Sequence, residues 1–264
     1  MPGVPGTTLS ILCATAAANG VLFRAVERLT GRTRFYAGLS AAQRVDLDSR
    51  LVGLFNVAVC LSSALSLWAA PDTARAWRDP HEAVFGASAA RARALALLGG
   101  FLLYDGVLIV VRRAAFGGVD WSMLLHHAII LGAIGLAVGA GRCTFHICCL
   151  LVNEVSTPFL TLRFALVYAR KTSTRAYALN GAALVASFAL FRLGANTALL
   201  VAIARAWRVL GVERGMIGTH RTDAVICGAL SALAAGHWAL NVYWFRRVVA
   251  HAARAIRRYH AEPE

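Results

Sequence analysis

Seven apolar runs of about 20 residues dominate this chain and constrain its fold more than any other feature. A helix rises about 1.5 Å per residue, so about 20 residues cross the hydrocarbon core of a bilayer, which is about 30 Å thick. The sequence therefore predicts seven membrane-spanning helices. Their predicted bounds are Thr8–Phe23, Leu51–Ala70, Ala94–Val111, Ser122–Gly139, Cys143–Tyr168, Ala176–Ala204 and Ala224–Phe245.

The composition agrees with an integral membrane protein of the all-α class. Of the 264 residues, 58% are hydrophobic and only 15% are charged, against about 25% charged in soluble domains. The first apolar run follows no positively charged segment, so we expect it to be retained as a helix rather than removed as a signal peptide. These features predict a helical bundle that crosses the membrane several times.

The positive charge follows the connectors between the apolar runs. The formal net charge is +14, and the arginines that supply it do not form one patch with aromatic residues. This distribution indicates contact with anionic lipid and excludes a nucleic-acid-binding surface. More Lys and Arg residues lie on the side of the first, third and fifth connectors and the C-terminal tail. The positive-inside rule therefore predicts a lumenal N-terminus and a cytosolic C-terminus.

We divide the chain into three parts on this basis. Residues 1–47 form an N-terminal helix and a basic connector, residues 48–249 form the transmembrane bundle, and residues 250–264 form a basic cytosolic tail. Helical spacing places an apolar stripe along the tail, so we expect the tail to lie on the anionic leaflet, and a solvated basic tail that only fixes the topology is the alternative. The stripe consists of Val248, Val249, Ala252, Ile256 and Tyr259.

The fifth apolar run contains polar residues that are costly in a membrane. A charged side chain at the bilayer centre costs about 2.5 to 3.5 kcal/mol, so Glu154 requires a partner. Counting residues inward from the predicted cytosolic ends places Arg192 of the sixth run at the same depth. We predict a buried ion pair between Glu154 and Arg192, with Asn153 and Asn196 completing its hydrogen bonds. Ser156 and Thr157 lie on the same stretch.

A second polar layer is predicted nearer the cytosol, where the third and fourth runs are joined by a short turn. Asp105 lies near the end of the third run, and His126 and His127 lie near the start of the fourth. A carboxylate that orients an imidazole provides a general base, so a contact between Asp105 and a histidine predicts catalysis. Binding of a lipid headgroup and a static polar plug are the alternatives. Asn241 joins this layer, and His237 either packs against a neighbour or belongs to the site.

The six cysteines lie in or beside apolar runs, where cysteine behaves as a small hydrophobic residue. Their spacing predicts no disulfide framework. Cys143, His146 and Cys149 recur every three residues, but a fourth ligand is missing from this pattern. We therefore expect no metal site.

Five segments, taken in order, resemble the TLC-domain family, which includes the translocating-chain-associating membrane protein, the ceramide synthases and a neuronal ceroid lipofuscinosis protein. The segments are DSRLVGLFNVAV (48–59), FLLYDGVLIVV (101–111), SMLLHHAII (122–130), NEVSTPFLTLRF (153–164) and LNVYWFRRVV (240–249). The resemblance implies a multispan bundle in an endomembrane, expected to be the endoplasmic reticulum, with a role in lipid metabolism.

The fifth-run segment departs from the ceramide synthase motif, which reads His-Asp-x-Ser-Asp. This chain has Asn153, Glu154, Ser156 and Thr157 at the four defined positions and therefore keeps only the serine unchanged. The His pair, His126 and His127, is kept. The pattern is more similar to that of the smaller TLC-domain-containing transmembrane proteins.

Three functions follow as hypotheses. The first is a lipid-homeostasis protein that binds or modifies a membrane lipid or acyl chain in an intramembrane polar cavity, without a cofactor. Its expected partners are sphingolipid or phospholipid, no nucleic acid is expected, and a homo-oligomer is left open. The second is a ceramide synthase-like N-acyltransferase with acyl-CoA as substrate. The third is a cargo adaptor of the early secretory pathway. For the first two, the predicted catalytic residues are His126, His127 and Asp105, and the predicted lipid-binding residues are Asn153, Glu154, Ser156, Thr157, Arg192, His237 and Asn241.

Overall fold

The structure is a computed structural model that describes residues 4–113, 120–213, 215 and 220–261. Over these ranges the chain is helical and contains no strand. The helices in chain order are α1 (Val4–Thr30), α2 (Arg34–Ala37), α3 (Ala41–Trp68), α4 (Pro71–Arg78), α5 (Pro80–Phe85), α6 (Ala89–Leu108), α7 (Trp121–Ala140), α8 (Thr144–Cys148), α9 (Thr157–Tyr168), α10 (Arg175–Ser187), α11 (Ala195–Ala206) and α12 (Arg221–Ala261).

Irregular helical segments extend or join several of these helices. A 3-10 helix joins α8 to α9, and a π-helix joins α10 to α11, so each pair forms one spanning unit. Further π-helices follow α6 and α11. The four segments are Cys149–Ser156 (3-10), Phe188–Gly194 (π), Ile109–Arg113 (π) and Trp207–Glu213 (π).

The predicted number of membrane spans is confirmed, because seven helical units are long and apolar enough to cross a bilayer. Helix α1 extends past both ends of the first predicted run. The predicted turn between the third and fourth runs includes residues 114–119, which lie outside the described residues. The spanning units cover Gly6–Thr30, Ala41–Trp68, Ala89–Val111, Trp121–Ala140, Thr144–Tyr168, Arg175–Gly211 and Arg221–Arg254.

The segment after the second span contains two short helices, α4 and α5. Pro71 and Pro80 each occupy the first turn of a helix, where the missing N–H of proline is not needed. The carboxylate of Asp79 accepts a hydrogen bond of 2.9 Å from the backbone N–H of His81 and so caps α5. Both prolines therefore begin helices in this segment.

The C-terminal tail continues the last span, because α12 is unbroken from Arg221 to Ala261. The tail predicted over residues 250–264 thus begins as part of the same helix. Ala252 is buried and packs on Gly181 of α10, with its Cβ 4.0 Å from the position that a Cβ would take at Gly181. The side chains of Ile256 and Tyr259, which belong to the predicted apolar stripe, lie outside the described residues.

Helix α2 ties the first connector to the bundle through Tyr36. The Tyr36 hydroxyl is buried and donates to one carboxylate oxygen of Asp48, and the Thr30 hydroxyl donates to the other at 2.9 Å. Asp48 lies inside α3, so the boundary predicted between residues 47 and 48 falls within a continuous helix. Burial and the hydrogen bond to Asp48 raise the pKa of Tyr36 to about 12.

Replacing Tyr36 by phenylalanine is expected to lower the free energy of unfolding by about 1.5 to 3 kcal/mol, the range for hydrogen bonds to charged groups. Because the pKa of Tyr36 is raised on folding, its contribution is complete below about pH 10 and is lost as the pH rises through about 12. Denaturant titration in detergent micelles between neutral and alkaline pH measures both effects. Tyr243→Phe is the control, since Tyr243 is 49% exposed. Equal stability of the two variants would contradict the prediction.

Candidate functional site

The polar residues of the membrane interior lie on the two irregular segments that join helices. Glu154 and Ser156 lie on the 3-10 helix before α9, and Arg192 lies on the π-helix before α11. These two segments pack against each other. Irregular turns inside long helices are frequent at functional sites because they redirect side chains and release backbone groups.

Arg192 forms the centre of a hydrogen-bonded network with the fifth span. Its Nε donates to the Ser156 hydroxyl at 2.8 Å and its Nη2 donates to the Thr157 hydroxyl at 3.2 Å. The Thr157 hydroxyl in turn donates to Glu154 Oε2 at 2.8 Å, and Glu154 Oε1 lies 3.9 Å from Arg192 Nη2. The structure therefore brings Glu154 and Arg192 together as predicted, with Thr157 bridging them.

The role assigned to the two asparagines is wrong. Ser156 and Thr157, rather than Asn153 and Asn196, accept the hydrogen bonds of Arg192, because the guanidinium faces the start of α9. Both asparagines are buried. Asn153 Oδ1 and Asn196 Nδ2 have no hydrogen-bond partner among the described residues. They supply unused hydrogen-bonding capacity beside a buried charge.

The predicted contact between Asp105 and the His pair is made by His127. Its Nε2 lies 3.7 Å from Asp105 Oδ2, which is an ion-pair distance and longer than a hydrogen bond. The other carboxylate oxygen accepts a hydrogen bond of 2.9 Å from the Ser49 hydroxyl of α3. Asp105 is thus held by the second span and directed toward the imidazole of the fourth.

His126 faces the last span instead. Its ring centroid lies 5.1 Å from that of His237 and 5.2 Å from that of Trp244. His237 contacts Asn241, whose Nδ2 lies 3.1 Å from Nε2 of the imidazole. His237 therefore packs against His126 and Asn241. Both of these neighbours are residues of the predicted site. Among the described residues, His126 Nδ1 and Asn241 Oδ1 have no hydrogen-bond partner.

The two predicted polar layers lie on elements that pack together. The π-helix that carries Arg192 packs against α12, which carries His237, and the rings of Phe188 and Phe245 stack between them at 5.9 Å. His126 and His127 are neighbours whose ring centroids are 5.7 Å apart. The polar residues from Asp105 through the histidines to Arg192 and Glu154 therefore lie on adjoining helices. We call these residues the polar network.

The side chains of the polar network are packed against one another rather than around a wide opening. His126 is 8% exposed, His237 is 1% exposed and Asn241 is fully buried. A small cavity lies at the opposite end of α7, and it is bordered by Cys143, His146 and Cys227 among others. A ligand would therefore contact His126, His237 or Asn241 only after neighbouring side chains move.

The described residues contain no group of three or more His, Cys, Asp or Glu side chains arranged to hold a metal ion. The imidazoles of His126, His127 and His237 are thus near one another without forming such a group. The side chains of the network can form hydrogen bonds, stabilise charge and transfer protons.

The TLC-domain family model matches residues 46–250 of the 264-residue chain. The chain belongs to the TLC-domain family. Two similar proteins carry the TLC domain in their names. TLC domain-containing protein 4-A of Xenopus laevis is 26% identical over 236 residues, which is 86% of this chain and 84% of the relative. TLC domain-containing protein 4 of Xenopus tropicalis is 26% identical over 219 residues, or 81% and 77%. No solved structure matches.

Sequence reasoning missed two residues of this TLC-domain protein that contact the predicted site. Ser49 fixes Asp105, and Trp244 packs on His126. Trp244 also donates a hydrogen bond of 3.2 Å to Ser122 at the start of α7. Both residues lie in segments that carry the family resemblance. A hydroxyl near the end of a span and an interfacial tryptophan are too common in membrane proteins to mark a site by type alone.

Proposed function

We propose that this TLC-domain protein acts in lipid homeostasis by binding a membrane lipid whose polar headgroup contacts the polar network. The headgroup classes that match the network are those of phospholipids and sphingolipids, which offer hydroxyl, amide or phosphate oxygens. Arg192 and the histidines can donate hydrogen bonds to such oxygens, and the asparagines can donate or accept. The acyl chains would lie against the apolar surfaces of the surrounding spans.

The observation that carries this proposal is the concentration of unpartnered buried polar atoms beside Arg192. A buried donor or acceptor without a partner costs about 1 to 3 kcal/mol. Four such side chains from four spans lie along the polar network, and a polar ligand would satisfy them. They are His126, Asn153, Asn196 and Asn241.

His127 is the group best placed to exchange a proton with the bound lipid. Asp105 lies 3.7 Å from its Nε2, and a carboxylate at that position orients the imidazole and stabilises its protonated form. This geometry favours modification of the lipid over binding alone. The proposed role of His127 is general base, with Asp105 as its orienting residue and Ser49 as the residue that holds Asp105.

The same contact supports a second candidate, an N-acyltransferase that makes ceramide-like products from acyl-CoA. In that reaction His127 would remove a proton from the amine that attacks the thioester, and the C–S bond would break as the amide forms, so that CoA leaves as a thiol with that proton. Asn153 and Thr157 replace acid-base groups of the ceramide synthase motif, so His127 and Asp105 would supply the proton transfer. The appearance of labelled amide-linked acyl chains distinguishes this reaction from other lipid chemistry.

The proposed location is an endomembrane, the endoplasmic reticulum in the first instance. The proposed orientation has a lumenal N-terminus and a cytosolic C-terminus, in accordance with the distribution of arginine. Under this orientation, His126 and His127 lie near the cytosolic end of α7. Soluble acyl-CoA would then approach the network from the cytosol.

Lipidomics of cells that lack the protein tests the proposal. Wild-type protein is expected to restore the altered lipid species, and His127→Ala is expected to leave at least nine-tenths of the change uncorrected at equal protein level. His146→Ala is the matched control, because His146 is an equally buried histidine outside the polar network. It is expected to restore the wild-type lipid profile. Equal rescue by His127→Ala and wild type would exclude the His pair as the site.

A further inference from the structure

The turn between α7 and α8 contacts the beginning of the last helix, α12, at two adjacent positions. Arg142 Nε donates to Asp223 Oδ1 at 2.9 Å, and Cys143 Sγ lies 3.7 Å from Cys227 Sγ. Arg142 and Cys143 are neighbours in sequence, while Asp223 and Cys227 lie one turn apart on α12. This junction lies at the end of α7 opposite the polar network.

The backbone at Cys143 has a defined conformation. Cys143 adopts the left-handed conformation with φ of 57°, which is unfavourable for a residue with a Cβ, and its N–H donates to the carbonyl of Val84 at 2.7 Å. Cys227 lies within the regular part of α12. Both thiols are therefore held on ordered backbone rather than on free loops.

We propose that Cys143 and Cys227 form a disulfide that joins the α7–α8 turn to the last span. A disulfide bond is about 2.0 Å long, so the two sulfur atoms must approach each other by about 1.7 Å. The small cavity of about 20 Å³ that borders both cysteines provides space for this side-chain rotation. The loop enclosed by the bond is long, because the two residues are 84 positions apart.

The oxidant for this reaction is a low-molecular-weight or protein disulfide. The thiolate of one cysteine attacks the oxidant, which forms a mixed disulfide and releases one thiol. The second cysteine then attacks the mixed disulfide, which forms the Cys143–Cys227 bond and releases the second thiol. Both cysteine sulfurs are oxidised, the oxidant is reduced to two thiols, and the two cysteine protons pass to those thiols.

The proposed orientation places this junction at the lumenal side of the membrane. The lumen of the endoplasmic reticulum is oxidising, whereas cytosolic thiols are kept reduced. Formation of the disulfide in living cells therefore depends on the proposed orientation. It does not depend on the lipid-binding role of the polar network.

The distribution of cysteines permits a direct test in the full chain. Cys227 is the only cysteine after Cys149, so a protease site inserted in the exposed connector 169–174 separates it from the other five. Free thiols are blocked with N-ethylmaleimide at lysis, the protein is cleaved in its membrane, and the fragments are resolved with and without reductant. Cys143→Ser and Cys227→Ser are the test variants, and Cys149→Ser is the matched control.

The fragments of the wild type and of Cys149→Ser are expected to stay joined without reductant and to separate with it. The fragments of both test variants are expected to separate in either condition. If the wild-type fragments are joined only after opened membranes are treated with oxidised glutathione, the pairing of Cys143 with Cys227 is supported. The proposed lumenal position of the junction is then contradicted. Separation of the wild-type fragments even after that treatment would overturn the proposal.

Discussion

Replacing Glu154 by glutamine is expected to lower the free energy of unfolding by about 3 to 5 kcal/mol, the range observed when one partner of a buried ion pair is removed. Glutamine keeps the shape of the side chain and can still accept the hydrogen bond of Thr157. It removes the negative charge, however, and leaves Arg192 with hydroxyl partners alone. Arginine cannot release its proton to escape this cost.

Thermal or denaturant unfolding in detergent micelles measures this effect, together with a double variant. Glu154→Gln combined with Arg192→Met is expected to regain most of the lost stability, because it removes the uncompensated charge as well. Glu27→Gln is the control, since the Arg24–Glu27 pair is exposed and such pairs contribute about 0.2 to 1 kcal/mol. A loss for Glu154→Gln no greater than that of the control would show that Glu154 does not neutralise Arg192.

In the proposed reaction with His127 as general base, replacing Asp105 by asparagine is expected to slow lipid turnover by about a hundredfold to ten-thousandfold, the usual contribution of general acid-base catalysis. The amide oxygen can still accept the hydrogen bond of Ser49, so the position of the side chain is preserved. The amide cannot stabilise the protonated imidazole of His127. The loss of turnover in this variant therefore measures the effect of the Asp105 charge, because the shape of the side chain is kept.

Pulse labelling with isotopic fatty acid measures turnover in the lipid species that change in cells lacking the protein. Asp120→Asn is the matched control, because Asp120 is exposed and caps α7 through a side-chain oxygen that asparagine retains. It is expected to leave turnover unchanged. Wild-type turnover in Asp105→Asn, at equal protein level, would exclude His127 as a proton-transfer group that depends on Asp105.

The sequence predicts the membrane fold because a long apolar run has few alternatives in a bilayer. Backbone polar groups in lipid must be satisfied within the segment, which leaves a helix as the solution for each run. The same reasoning predicts the partner of Glu154, since an intramembrane charge needs an opposite charge at its own depth. The pairing of Glu154 with Arg192 follows from a count of residues and is found in the structure.

The finer geometry could not be predicted, because it depends on departures from regular helix. The 3-10 and π segments change which faces Ser156 and Arg192 present, so a uniform helical count assigns the hydrogen bonds to the wrong side chains. The contact between Cys143 and Cys227 was missed for a related reason. It requires the left-handed backbone at Cys143 and a long-range approach of α12, and neither leaves a signal in local periodicity.

The contact of Ala252 with Gly181 sets a lower limit on any fragment chosen for expression or fusion. The family match ends at residue 250, and the last predicted span ends at Phe245, yet Ala252 is buried against the sixth span. A chain cut at either point would expose the surface of α10 that Ala252 covers. Fluorescent tags and truncations therefore belong after the end of α12, even though the residues beyond the last span look dispensable by composition.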